Sequence, residues 1–267
     1  MEMKGIGNWA SVRPQVVSWN TEVGKRMGNL GLSKRIVTAQ DDPSSGAMAT
    51  RMGARGDSLE AGRRNSLAGM GVTRAASGAL GRVGEGLGRM RELATRAASG
   101  TLSDADRASV DAEFQAIKED LGGFLEDANF SGVELFSGET LGVQVGADPG
   151  EDVLVQLPDG ETLAGLEGTT IGTQAGAGSV LADIDAALEA VVASQGELGA
   201  AEAALGSAAL QSSESIEQLA RAESRIVDAD IAEETAELAK AQLMQHAQLA
   251  LGMHQDVDDS LVMQLLS

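Results

Sequence analysis

Two histidines, His246 and His254, stand eight residues apart. On one helix that spacing separates them by two turns along the axis, whereas a shared metal ion needs i, i+4 spacing or ligands from elsewhere, and the frame H-E-x-x-H is absent. The acidic pairs Asp41/Asp42, Asp228/Asp230 and Asp258/Asp259 are of the type used in general acid–base catalysis. Nothing apolar and aromatic surrounds them to form a pocket, so helix caps and solvated faces are their expected roles. No G-x-S-x-G elbow is present to activate a serine. Zero cysteines remove disulfides, thiolate metal sites and cysteine nucleophiles together.

The run Gly78–Leu93, GALGRVGEGLGRMREL, is the remaining chemical possibility, a glycine-rich phosphate cradle. Such a cradle needs its glycines at a strand-to-helix turn, in a G-x-G-x-x-G or G-x-x-x-x-G-K-[ST] frame, and the run has neither frame and no preceding strand pattern. It reads instead as helix, because Leu80, Val83, Leu87, Met90, Ala94 and Ala97 alternate spacings of three and four in a coiled-coil-like seam. Five glycines weaken that helix by about 4–5 kcal/mol relative to alanine. Neighbouring helices must therefore hold it. No catalytic, metal-binding or cofactor-binding residue is expected, and the chain reads as a non-enzyme.

Composition supports a thin, helical architecture. Of 267 residues 43% are apolar, yet 34 are Gly, four are Phe, two are Trp and none is Tyr, so side chains that fill a thick interior are scarce. No apolar run approaches the roughly 18 residues of a membrane span, and no apolar signal core with a small-residue cleavage site opens the sequence. The net charge of -20 is unevenly spread: residues 1–100 carry 15 Lys+Arg against 8 Asp+Glu, and the remainder carries 5 against 32. The basic residues follow helical pattern without interleaved aromatics, so attraction within the chain is favoured over nucleic-acid binding.

Apolar positions Val12, Val16, Trp19, Val23, Met27 and Leu30 form a first helical stripe. AQDDPSSG interrupts it, with Ser44 and Ser45 expected to cap the next helix, which runs from Ser45 to about Ser99. Roughly 55 residues of helix at 1.5 Å each extend about 80 Å. SGTLSDAD ends that helix and starts another through a Ser103/Asp106 capping box, with Phe114, Ile117, Leu121 and Phe124 as its stripe. Val143/Val145 and Val153/Val155/Leu157 alternate as two short strands around ADPGED. After glycines at 172–178, a helical period returns almost to the end, including Leu238, Ala241, Met244, Ala247, Leu251, Leu261 and Leu265. The expected fold is mainly α: a long antiparallel coiled-coil-like helical rod with a small β-hairpin region and paired N- and C-termini.

Several segments now carry a resemblance. KRIVTAQDDPSSGAMATRM resembles the bacterial flagellin segment RINSAKDDAAGLAIANRM, and RMRELATRAASGTLSDADRASVDAEF is similar, almost position for position, to RIRELAVQSANGTNSDADRASIQAEI of that family. ANFSGVELFSG resembles its TQFNGVKLLSG turn, and SRIVDADIAEETAELAKAQLMQHA its SRIEDADFATEVSNLSRAQILQQA. The resemblance covers residues 30–136 and 178–267 in matching order; the first 30 residues, with Trp9, Pro14 and Trp19, depart from the family's polar run.

The resemblance implies a subunit that polymerises into the flagellar filament, extracellular and exported through the flagellar apparatus without signal cleavage. Its implied divisions are an N-terminal inner-core helix (1–43), N-terminal outer-core helices (44–136), a short variable hairpin region (137–177), a C-terminal outer-core helix (178–226) and a C-terminal inner-core helix (227–267). Implied partners are other copies of the chain, a flagellin chaperone, and filament cap and hook-junction proteins. Neither nucleic acid nor membrane is among them. Val12, Val16, Trp19, Val23, Leu80, Val83, Leu87, Met90, Leu238, Met244, Leu251, Leu261 and Leu265 are the expected packing residues. The family's contact with the vertebrate innate flagellin receptor maps onto Arg89, Leu93 and Glu113. A hook–filament junction protein and a secreted coiled-coil effector or translocator are the alternatives.

Overall fold

The computed structural model describes the backbone of residues 9–38, 40–163, 166 and 168–265, and the side chains of 17–38, 40–161, 166 and 168–250. In order the elements are α1 (Trp9–Leu32), α2 (Pro43–Ala97), α3 (Asp104–Asp127), β1 (Asn129–Phe130), β2 (Val133–Glu134), β3 (Thr140–Gln144), β4 (Asp152–Gln156), α4 (Gly160–Leu163), α5 (Gln174–Val227) and α6 (Ile231–Leu265). The chain is mainly helical, and its strands make two separate antiparallel hairpins, β1–β2 and β3–β4. It divides into two compact units, one formed by residues 1–54 with 218–267 and the other by 55–217.

In the 55–217 unit, the three-and-four spacing of Leu80, Val83, Leu87 and Met90 brings all four to one face of α2, where each is at most 1% exposed. They join a core with Phe114 and Leu125 of α3 and Val180, Ile184, Val191, Leu198 and Leu205 of α5. Burying each large side chain in this seam contributes about 1.5–3 kcal/mol. The seam thus offsets the glycine cost of its own helix.

Glycines allow close approach at defined points. A Cβ at Gly86 would lie 2.8 Å from both terminal methyls of Leu121, and one at Gly62 would lie 2.2 Å from the carbonyl oxygen of Val145. Gly78, Gly81 and Gly88 have nothing within 4 Å of that position, so intramolecular packing does not account for them.

Ser103 caps α3 as its spacing predicts: its Oγ accepts from the Asp106 amide at 3.2 Å and donates to Asp106 Oδ2 at 2.6 Å. Ser131 and Gly132 both have positive φ, which suits the tight turn joining β1 to β2. β3 and β4 pair from Thr140↔Gln156 to Gln144↔Asp152, and Val143 and Val155 enter the core. The expected strand positions Val145 and Leu157 extend this ladder through backbone bonds to Glu151 and Glu139.

In the other unit α1 and α6 pair antiparallel, with Gln245 Nε2 donating to Asn20 Oδ1 and Arg26 Nη1 donating to Glu234. Where the two helices begin to pair, Arg35 N donates to Val227 O at 2.7 Å and Ala229 N to Ser33 O at 3.1 Å.

Gly62→Ala and Gly78→Ala should have opposite effects. At Gly62 the new methyl meets backbone that cannot rotate away, and stability should fall by about 1–3 kcal/mol. At Gly78 it meets open space, and stability should rise by about 0.8–1 kcal/mol through helix propensity alone. Denaturant unfolding followed by circular dichroism measures both.

Candidate functional site

The acidic pairs serve the backbone. Asp42 Oδ1 accepts from the amides of Ser44 and Ser45, both at 3.1 Å, and from Ser44 Oγ at 2.8 Å. This corrects the expected caps: Ser44 and Ser45 are donors to the cap, and Asp42 is the capping residue. Pro43 occupies the first helical position, where no backbone donor is needed. Asp41 Oδ2 accepts from the amides of Val37 and Thr38, and Lys25 Nζ reaches Asp41 Oδ1 at 2.9 Å. Lys25 first, and these amides next, hold the Asp41 carboxyl well below the usual carboxylate range. Asp230 Oδ1 caps α6 by accepting from Ala232 N at 2.8 Å, and Asp228 accepts from Ser224 Oγ. His246 lies exposed on α6, and the side chains of His254, Asp258 and Asp259 fall outside the described residues.

Exposed apolar side chains lie on both units. On α1, Val17 and Met27 are exposed; on α6, Ile231, Leu243, Met244 and Leu249 are exposed. Trp19, Val23 and Leu238 are half-buried in the same unit, whereas Ala241 is fully covered. The expected α6 stripe therefore splits, with Ala241 turned inwards and Met244 outwards. Val12, Val16, Leu251, Leu261 and Leu265 lie in helices, but their side chains are outside the described set. In the 55–217 unit, Leu154 of β4 and Val192 and Leu210 of α5 are exposed.

The charge asymmetry resolves into specific pairs between the basic first part and the acidic remainder. Arg74 meets Glu202 at 2.7 Å, Arg91 meets Asp185 at 2.6 Å and Arg89 meets Glu113 at 2.6 Å. Arg55 meets Asp148, and Arg26 meets Glu234, both at 3.0 Å. Of the three residues singled out as a receptor contact, Arg89 and Glu113 are thus exposed and bound to each other. Leu93 is buried in the core.

Sequence reasoning missed two polar groups. Asp111, Gln115 and Lys118, spaced along one face of α3, hold the segment before α5: Asp111 Oδ1 accepts from Ile171 N at 2.7 Å, while Gln115 and Lys118 donate to Thr169 O. Arg26, Asn29 and Glu234 meet between α1 and α6. Asn29, polar and next to the stripe residue Leu30, was the available signal for the second group.

Comparison with known proteins follows these helices. Residues 13–140 match the family model for the bacterial flagellin N-terminal helical region, and 181–266 match that for the bacterial flagellin C-terminal helical region. The chain is 31% identical over 247 residues to a flagellin of Halalkalibacterium halodurans, covering 91% of each chain. It is 27% identical to the flagellar filament 30.7 kDa core protein of Treponema maltophilum, covering 93% of each. A putative flagellar hook-associated protein from Vibrio parahaemolyticus shares the fold, with a TM-score of 0.60, 17% identity, and coverage of 70% of this chain and all of the other.

The Asp42 cap has a pH signature. Hydrogen bonds from Ser45 first, and Ser44 next, lower its carboxyl pKa from 3.8 to about 2. A depressed carboxyl contributes its stabilisation fully above the unfolded value and loses it as pH falls through the folded one. The Ser44 and Ser45 amide resonances should therefore titrate with a midpoint near pH 2 rather than 3.8. Asp42→Asn should abolish that titration.

Proposed function

The chain belongs to the bacterial flagellin family and is a structural subunit of the flagellar filament, and from that premise we propose how its parts divide the work. Residues 1–43 and 227–267 form the inner core of the polymer. Residues 44–136 and 178–226 form the outer core, with 137–177 as a short surface hairpin region. The observation that carries this division is the exposed apolar set on the paired helices α1 and α6, which a lone chain leaves in water. Neighbouring copies cover it.

In this reading the subunit leaves the cell through the flagellar export apparatus without a cleaved signal peptide, escorted by a chaperone and placed beneath the filament cap above hook-junction proteins. Its work is mechanical, with no catalytic step. Removing residues from Ala229 onward should abolish filament formation while leaving the 55–217 unit folded, since the core of that unit draws on none of the deleted residues. Electron microscopy of concentrated protein, with circular dichroism on the truncated chain, tests this. Filaments from the truncated chain would refute it, and a full-length chain that elongates only from hooks would instead mark a junction protein.

Arg89 and Glu113 are proposed as the receptor-facing pair. Arg89 carries a planar fork of donors, and in the monomer a receptor must compete with Glu113 for it. Leu93 contributes by shaping the helix beneath, because its side chain is buried. Arg89→Ala should weaken receptor activation by monomer at least tenfold, about 1.4 kcal/mol. Unchanged activation by a folded variant would remove this role.

A further inference from the structure

We infer that Glu234, together with Arg26 and Asn29, selects the register in which the two terminal helices pair, and so determines which surface a subunit offers to its neighbours. Among the described residues of α1 and α6, the buried polar side chains are Asn29, 4% exposed, and Glu234, 6% exposed. Arg26 Nη1 donates to Glu234 Oε2 at 3.0 Å, and Asn29 Nδ2 donates to Glu234 Oε1 at 3.5 Å. Arg26 Nε also donates to Glu22 at 2.8 Å on its own helix. Both oxygens of the buried carboxylate are thereby engaged by the opposite helix.

Elsewhere on the described pairing surface the contacts are less buried: Trp19, Val23 and Leu238 are half-buried, and the Gln245–Asn20 bond is exposed, so each discriminates between registers less than a buried charge does. Gly24, Gly28 and Gly31 of α1 have nothing within 4 Å of an added Cβ, and the buried apolar residue among the described ones of α6 is the small Ala241. Small side chains fill no unique hole. The bonds between residues 33–36 and 226–229 run through backbone amides and carbonyls, apart from one from Arg35 Nη2 to Ile226 O. Backbone groups are alike at every position, so they hold two segments together without specifying the side chains that meet.

The buried carboxylate does specify them. A slip of one helical turn would put either Leu30 and Ser33, neither of them a cation, or Glu22 and Lys25 where Arg26 and Asn29 now stand. Glu22 bears the same charge as Glu234, and Lys25 is already paired with Asp41 at 2.9 Å. A buried ion left without its partner is strongly destabilising, whereas replacing a whole buried polar group by apolar side chains is often neutral or stabilising. Fixing register is the best-attested use of such a group. The clause about neighbours rests on the filament reading, while the register claim stands on the single chain.

The chain contains no cysteine, so engineered pairs report register without background. Asn20→Cys with Gln245→Cys reports the observed register, and Asn20→Cys with Ala241→Cys or Leu249→Cys reports slips of one turn either way. Under mild oxidation of the full chain, the 20/245 pair should cross-link and the slipped pairs should not. In an Arg26→Met, Asn29→Leu, Glu234→Leu background the slipped pairs should rise at least fivefold at the expense of 20/245. A folded triple variant that still cross-links only at 20/245 overturns the inference. If the triple variant cross-links in none of the pairs, Glu234→Gln decides: it keeps an acceptor but loses the charge, and slipped cross-links should rise at least twofold. Unchanged cross-linking there overturns the inference equally. Electron microscopy of the unoxidised parent chain is scored separately, since failure to form filaments contradicts the filament reading and leaves the register result intact.

Discussion

The 55–217 unit depends on the burial of one seam of α2. Leu80, Val83, Leu87 and Met90 are covered almost completely, although the helix that carries them is among the poorest in intrinsic propensity in the chain. With four phenylalanines and no tyrosine, the protein cannot build a deep interior, so it lines a narrow one with Leu, Val, Ile and Ala from three helices. The β3–β4 hairpin adds Val143 and Val155 to the same seam, and the backbone contact at Gly62 lets it lie directly on α2. Glycine thus weakens α2 as an isolated helix and permits the approach that stabilises it in place.

Charge is distributed to the same end. Exposed ion pairs such as Arg74–Glu202 and Arg91–Asp185 are individually weak. Their effect is to match a basic α2 to an acidic α5 within the chain. What remains after these pairs is a strongly acidic chain of net charge -20, whose copies repel at long range and associate only where apolar surface and local charge match.

Periodicity made much of this legible in the sequence. The α2 seam, the Ser103–Asp106 cap and the alternating strands around ADPGED all follow from rules that act over fewer than about eight residues. The resemblance to flagellin rested on segments that the family models cover. What sequence reasoning missed depends on geometry between distant segments. Asp42 rather than Ser44 or Ser45 caps α2, because Pro43 starts the helix earlier than a serine cap allows. Leu93 is buried because α2 packs against both α3 and α5, which widens its covered face beyond a two-helix seam. Met244 is exposed while Ala241, three residues before it, is covered, a choice between two positions of one stripe that periodicity alone leaves open.

The two units solve opposite problems. The 55–217 unit gathers most of its buried apolar side chains into one core within the chain, and leaves Phe130, Leu154, Val192 and Leu210 exposed on separate elements. Among the described side chains of the paired terminal helices, Val17, Met27, Leu243 and Leu249 stay in contact with water, while Asn29 and Glu234 are buried beside the small Ala241. An arrangement that buries polar groups and exposes apolar ones is a poor solution for a monomer. It suits a component of a larger assembly, where internal polar contacts orient the helices and the apolar faces are covered by copies of the same chain. The stability of the terminal pair is then inseparable from subunit concentration, as mass action requires of any interface shared between copies.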